Sequence, residues 1–96
     1  RITGIHEETS ISPKAVVKES VVGKGVKIQE GAYIENSVVM EGALVENDSY
    51  IEGSIIGERA KIQKKSHVTE LSIVSHEEIL EKETHLQNSY LPRVLS

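Results

Sequence analysis

The chain has 96 residues, with 15 acidic against 11 basic side chains, a formal net charge of −4 and three aromatic residues. No basic run occurs, so we expect no nucleic-acid surface, and the absence of cysteine excludes a disulfide framework or a zinc–thiolate site. There is no apolar run long enough to cross a membrane and no signal peptide, so we predict a cytoplasmic protein without a membrane partner.

Five serines set the period of the chain, because each is followed by two large residues that are almost all branched aliphatics. Successive serines are 17, 17, 18 and 17 residues apart. The serines are Ser20, Ser37, Ser54, Ser72 and Ser89. A fixed internal period in a short chain indicates a stack of similar units, each resting on the one before it.

Within each unit, a branched aliphatic recurs three times, at steps of six, six and then five residues, with a small residue two positions before most of them. A spacing of two residues puts both side chains on the same face of a strand. Gly, Asn and Asp fall between the strands, as turns require. The pattern therefore predicts one domain over residues 1–96, a triangular solenoid of parallel strands. We expect five coils and a partial sixth from Thr3 to about Leu91.

One outward position in each unit is apolar on a face that water should cover. We predict that these residues form a contact surface, since exposed apolar patches mark interaction sites. The alternative is that branched residues simply favour strands. The predicted interface consists of Val21, Val38, Ile55, Ile73 and Tyr90, with Met40 beside it.

The four histidines are candidates for metal chemistry. His67, His76 and His85 are nine residues apart, so His67 and His85 share a face while His76 falls near another corner. A metal site needs convergent ligands, and this register does not bring three together within one chain. A metal site formed by histidines across a subunit boundary remains an alternative. We expect His67 to stack on His85, and Tyr33 on Tyr50, one coil apart.

Residues 75–86 admit two interpretations. Ser75 and Glu78 match a helix capping box, and Val74 with Ile79 matches a hydrophobic staple, so a short helix over 75–86 is one prediction. Glu78 also falls where a small inward residue belongs, which would bury a charge. The aliphatic register nevertheless continues through this segment to Leu91, and it favours another coil.

The repeat resembles the hexapeptide-repeat, left-handed parallel β-helix family, and the left hand is implied by this resemblance alone. Residues 36–45 and 52–62 are similar to the C-terminal β-helix of sugar-1-phosphate nucleotidyltransferases, most of all the glucose-1-phosphate thymidylyltransferases. The resemblance implies a parent enzyme that joins a nucleoside triphosphate and a sugar 1-phosphate, releases pyrophosphate and uses magnesium. Since the chain begins at Arg1, we interpret it as a domain excised from such an enzyme, with the catalytic domain upstream.

The resemblance identifies no catalytic, cofactor-binding or metal-binding residue in this chain. The family's Gly-rich nucleotide loop is missing, and Gly23 and Gly25 belong to a corner of the solenoid. The predicted role is therefore assembly, by packing on the parent's catalytic domain or on identical subunits in a homo-oligomer. One alternative is a hexapeptide-repeat acyltransferase or γ-carbonic-anhydrase-like protein with a histidine site at a subunit interface. Another is a free-standing structural β-helix.

Overall fold

The computed structural model describes residues 8–92, and within that range the chain forms fifteen short strands in three parallel sheets. The first face contains β3 (Val21–Val22), β6 (Val38–Val39), β9 (Ile55–Ile56), β12 (Ile73–Val74) and β15 (Tyr90–Leu91). The second face contains β1 (Ser10–Ile11), β4 (Lys27–Ile28), β7 (Leu44–Val45), β10 (Lys61–Ile62) and β13 (Ile79–Leu80). The third face contains β2 (Val16–Lys18), β5 (Tyr33–Glu35), β8 (Tyr50–Glu52), β11 (His67–Thr69) and β14 (His85–Gln87). No helix in residues 8–92 is long and apolar enough to cross a lipid bilayer.

Each strand pairs with the strand three places before or after it in the chain, always in parallel. On the first face, for example, Val38 pairs with Ile55 and Val39 with Ile56. Three such sheets, visited in turn, make a left-handed parallel β-helix of about five turns. The predicted fold class is confirmed. The start of the first predicted coil, at Thr3, lies outside the described residues.

The interior is a stack of aliphatic layers. In every strand of the three central coils, the inward side chain is buried and its neighbour faces outward. Val26 occupies the small inward position that Ala43 and Ala60 fill in the next two coils, and all three are buried. The two-residue alternation of the sequence therefore maps directly onto inside and outside.

The repeating serines form a hydrogen-bonded ladder inside one corner. The backbone N–H of Ser54 donates to Oγ of Ser37 at 3.1 Å, and that of Ser72 donates to Oγ of Ser54 at 3.2 Å. Each of these hydroxyls also donates to a backbone carbonyl, as Ser54 does to Glu52 at 2.9 Å. Among the described residues, no buried side-chain nitrogen or oxygen lacks a partner, as native interiors require.

The corners hold the backbone in the left-handed region. Gly25, Gly31, Gly42 and Gly53 have φ between 61° and 79° there, which glycine adopts without steric cost. Residues with side chains take the same conformation at the other corners; these include Glu19, Asn36, Asp48, Arg59, Lys65, Glu77, Glu83 and Asn88. The closed triangle imposes this conformation, because the chain must turn after every strand.

The alternative prediction of a short helix over residues 75–86 is wrong, because the segment forms another coil of the solenoid. β13 pairs with β10 and β14 pairs with β11. The N–H of Lys61 donates to the carbonyl of Glu78, and the N–H of Gln63 donates to that of Leu80, both at 2.9 Å. A helix would deprive the preceding coil of these acceptors. The Glu78 side chain is only half-buried, since β13 is the edge strand of its sheet.

Candidate interaction surface

The outward residues of the first face form the most apolar surface of the solenoid. Val21 is 47% exposed, Ile55 41% and Tyr90 57%. Parallel pairing stacks these side chains in one column, as in the pair formed by Ile73 and Ile55. We call this column the apolar stripe; it consists of Val21, Val38, Ile55, Ile73 and Tyr90. The structure places the five residues together, and their role as an interface stays a prediction.

Met40 lies beside the apolar stripe, at the corner between the first and second faces. Its N–H donates to the carbonyl of Ile56 at 2.9 Å, and its side chain is half-buried. Gly57 takes the same place in the next coil, where it passes so close to the following turn that an added Cβ would lie 2.6 Å from the backbone nitrogen of His76. Met40 therefore borders the stripe rather than extending it.

Leu71 is the surface residue that the sequence analysis missed. Its side chain is 76% exposed, the largest exposure of any large apolar residue in the described part of the chain. It lies at the corner next to Gly53, Ile55, Ile73 and Tyr90, and these residues with Ser72 line a hollow of about 250 Å³. The single 18-residue gap between Ser54 and Ser72 was the signal, because the unit with the extra residue contains Leu71.

Charge separates the apolar stripe from the other two faces. The second face presents Lys27 and Lys61 at the equivalent outward positions, and the third face presents Lys18, Glu35 and Glu52. Each of these long polar side chains would have to lose water in a tight contact. The first face has no charged residue at its outward strand positions from Val21 to Tyr90, so it can be covered at the lowest desolvation cost.

The third face carries a continuous ladder of stacked rings. The Tyr33 and Tyr50 ring centroids are 5.0 Å apart with planes 5° from parallel, and those of His67 and His85 are 4.2 Å apart at 23°. Tyr50 and His67 connect the two pairs at 5.6 Å. The predicted stacking is thus observed, and the rings bury each other's faces along the solenoid axis.

The environment of Tyr33 on this face raises the pKa of its phenol. Its hydroxyl donates a hydrogen bond to Oε1 of Glu35 at 2.6 Å. This bond stabilises the protonated phenol and, with partial desolvation and the charges of Glu35, Tyr50 and Glu52, raises the pKa of Tyr33 to about 12. The phenol is therefore a hydrogen-bond donor across the physiological range.

The three histidines within residues 8–92 do not converge on one point. His67 and His85 stack on the third face, while Nδ1 of His76 accepts the backbone N–H of Glu58 at 2.8 Å at another corner. In residues 8–92, no group of three or more His, Asp or Glu side chains is arranged to hold a metal ion. These residues therefore do not fit as a site for the magnesium that the family resemblance implies for the parent enzyme.

Comparison with solved structures shows the same fold in a bacterial acetyltransferase. A histidine-to-asparagine variant of perosamine N-acetyltransferase from Caulobacter crescentus, in complex with CoA and GDP-perosamine, is 17% identical with a TM-score of 0.54. The match covers 95% of this chain and 48% of that one. PerB from the same organism, with the same two ligands, is 18% identical over 95% and 49% of the respective chains, with a TM-score of 0.46. This chain thus spans about half the length of these structural relatives.

The family comparison is more specific. No curated protein matches the chain, but the model of the GMPPB C-terminal domain matches residues 2–93. That match spans all fifteen strands and the apolar stripe. The match supports a C-terminal domain of a sugar nucleotidyltransferase, and it does not confirm the more specific resemblance to glucose-1-phosphate thymidylyltransferases. The chain belongs to the GMPPB C-terminal domain family, the left-handed β-helix found at the C-terminus of sugar nucleotidyltransferases.

Proposed function

We propose that this chain is the C-terminal assembly domain of a sugar-1-phosphate nucleotidyltransferase. The parent enzyme would join a nucleoside triphosphate to a sugar 1-phosphate and release pyrophosphate, with magnesium bound in its catalytic domain. The observation that carries the proposal is the family match over residues 2–93. In this proposal the domain performs no chemical step, because no nucleotide-binding loop occurs in its sequence.

The contact surface of the proposed assembly domain is the apolar stripe. An uncharged column that runs through five coils is larger than the scattered apolar residues of an ordinary surface, and such patches mark protein contacts. Its partner would be the parent's catalytic domain, an identical subunit, or both. Burial would cover side chains such as Tyr90 and Val21, which are about half exposed in the isolated domain.

The parent enzyme provides the decisive test. We expect pyrophosphate release from a nucleoside triphosphate and a sugar 1-phosphate by the full-length protein, and none by the 96-residue domain alone. Ile55→Asp in the full-length protein should change its sedimentation without unfolding it, and Lys61→Asp on the second face is the matched control. A parent gene that begins near Arg1, or a full-length protein without nucleotidyl transfer, would overturn the proposal.

The acyltransferase alternative has its own test. The similar acetyltransferase structures were solved with CoA bound, and at 17% identity the likeness shows the fold alone. Acyl-CoA binding or stoichiometric zinc in the purified chain, lost in His67→Ala and His85→Ala, would favour this alternative. Absence of both, with the two variants unaltered in stability and assembly, would eliminate it.

A further inference from the structure

Two histidine rings end the ring ladder of the third face, and they lie closer together than any other two rings in it. His67 and His85 are direct partners in the parallel pairing of β11 with β14. Their ring centroids are 4.2 Å apart, and the ring planes differ by 23°. His67 is half-buried and His85 is exposed, so solutes can reach both rings. Neighbouring strands therefore present two imidazoles side by side.

The ring nitrogens of this pair are available as metal ligands. His76 shows the contrast, because its Nδ1 accepts the backbone N–H of Glu58 at 2.8 Å. Within residues 8–92, no side-chain hydrogen bond involves a ring nitrogen of His67 or His85. Neutral imidazole is the commonest metal ligand among side chains, and it binds through either ring nitrogen. The pair thus combines two available ligands with access from solvent.

We propose that His67 and His85 together bind one divalent late transition-metal ion, copper(II) above all, with water at the remaining coordination positions. Copper(II) has the highest affinity among the divalent first-row metals for a given set of nitrogen ligands, and its tetragonal geometry accepts two nitrogens and water oxygens. Magnesium does not suit this pair, because it takes oxygen ligands. The site lies within one chain, and the inference goes beyond the proposed assembly function.

The separation of the two rings suits one shared metal ion. Two nitrogens that each lie about 2.0–2.1 Å from a metal, as in zinc–imidazole sites, can be at most about 4.2 Å apart. Adjacent strands of a sheet are about 4.8 Å apart, and these two rings already lie closer than that. Their planes must open beyond 23° so that both lone pairs point at one ion. His85 can make this rotation, because it is exposed on β14, the edge strand of its sheet.

The charges around the pair favour a cation. Thr69 and Gln87 are the next outward residues along β11 and β14, and both are neutral. Nε2 of Gln87 donates to Oε2 of Glu70 at 2.8 Å, which holds a carboxylate at the end of these strands. The corner before the strands carries one charge of each sign, on Lys65 and Glu83. The sum of these charges is negative, so they attract a bound metal ion.

Copper titration of the metal-free, untagged chain tests the site, with glycine as a competing chelator. We expect one copper(II) ion per chain and quenching of tyrosine fluorescence, because the Tyr50 ring lies 5.6 Å from that of His67 and the chain has no tryptophan. The Kd should rise at least tenfold in His67→Gln and in His85→Gln. His76→Gln, which also removes a surface histidine, is the matched control and should leave the Kd within twofold. Circular dichroism verifies that each variant is folded.

Electron paramagnetic resonance of the copper complex tests the ligand set. We expect hyperfine splitting from two imidazole nitrogens in the wild type and from at most one in His67→Gln or His85→Gln. Equal affinity of these two variants and the wild type, or a wild-type spectrum without two imidazole nitrogens, would overturn the inference. Copper binding that is lost on dilution to the monomer would also overturn it, because the ligands would then be shared between subunits, as in the acyltransferase alternative. Pyrophosphate release by the parent tests the proposed function separately.

Discussion

The serine ladder gives the sharpest prediction about stability. Ser54→Ala removes a hydroxyl that is buried, accepts the N–H of Ser72 at 3.2 Å and donates to the carbonyl of Glu52 at 2.9 Å. A typical hydrogen bond contributes about 0.5–1.5 kcal/mol, and a buried donor left without a partner costs about 1–3 kcal/mol. We therefore expect the free energy of unfolding to fall by about 2–3 kcal/mol.

Ser89→Ala is the matched control, because it makes the same chemical change at the end of the ladder. Ser89 is half-buried in the last coil, and its hydroxyl donates to the carbonyl of Gln87 at 2.8 Å. No described backbone N–H donates to its Oγ, so the substitution removes one partly exposed hydrogen bond, with an expected loss of about 0.5–1 kcal/mol.

Equilibrium unfolding in urea would measure both losses. The comparison is valid where the m-value is unchanged, since a repeat protein can unfold in parts. If Ser54→Ala and Ser89→Ala lowered the free energy of unfolding equally, or if Ser54→Ala were as stable as the wild type, the reasoning would be refuted. The serines would then be retained for their small size and not for their hydrogen bonds.

Two further predictions concern one phenol and two glycines. The raised pKa of Tyr33 means that its stabilising hydrogen bond is intact below pH 10.0, its unperturbed pKa, and is lost as the pH rises towards about 12. Absorbance titration should show a phenol ionising near 12 that disappears in Tyr33→Phe; a wild type in which every tyrosine ionises near 10 would contradict this. Gly57→Ala should destabilise the fold more than Gly25→Ala, because its Cβ would meet backbone at 2.6 Å whereas Gly25 has open space and only a φ of 72° to accommodate. Thermal unfolding of the two variants measures the difference, and equal melting temperatures would refute it.

The repeat made most of the fold predictable. A unit of three hexapeptides fixes which residues point inward, and the structure buries the predicted residues, from Val22 in one coil to Val68 and Val74 in later ones. The reason is physical: a coil can stack on its neighbour only if its aliphatics occupy the same three positions. Local signals were weaker. Ser75 and Glu78 match a helix start, yet pairing with the coil below determined the outcome.

The candidate surface was predicted only in part. The apolar stripe follows from strand alternation, so Val38 and Ile55 could be identified as outward residues. Leu71 could not, because its exposure depends on how a corner absorbs one extra residue, and a repeat shows only that a residue has been added. The left-handed backbone at corners occupied by charged residues, such as Glu19 and Arg59, could not be predicted from the sequence either. Closure of the triangle imposes that conformation, whereas the preferences of these side chains do not favour it.

The serine ladder also bears on how the length of this rod could change during evolution. The N–H of Ser54 donates to Oγ of Ser37 on one side, and Oγ of Ser54 accepts the N–H of Ser72 on the other, so the ladder joins each coil only to its immediate neighbours. Duplication of one whole coil would therefore leave every existing contact intact and lengthen the rod by roughly 4.8 Å. A partial duplication would break the ladder. Length should thus vary in steps of a complete turn while the triangular cross-section stays constant.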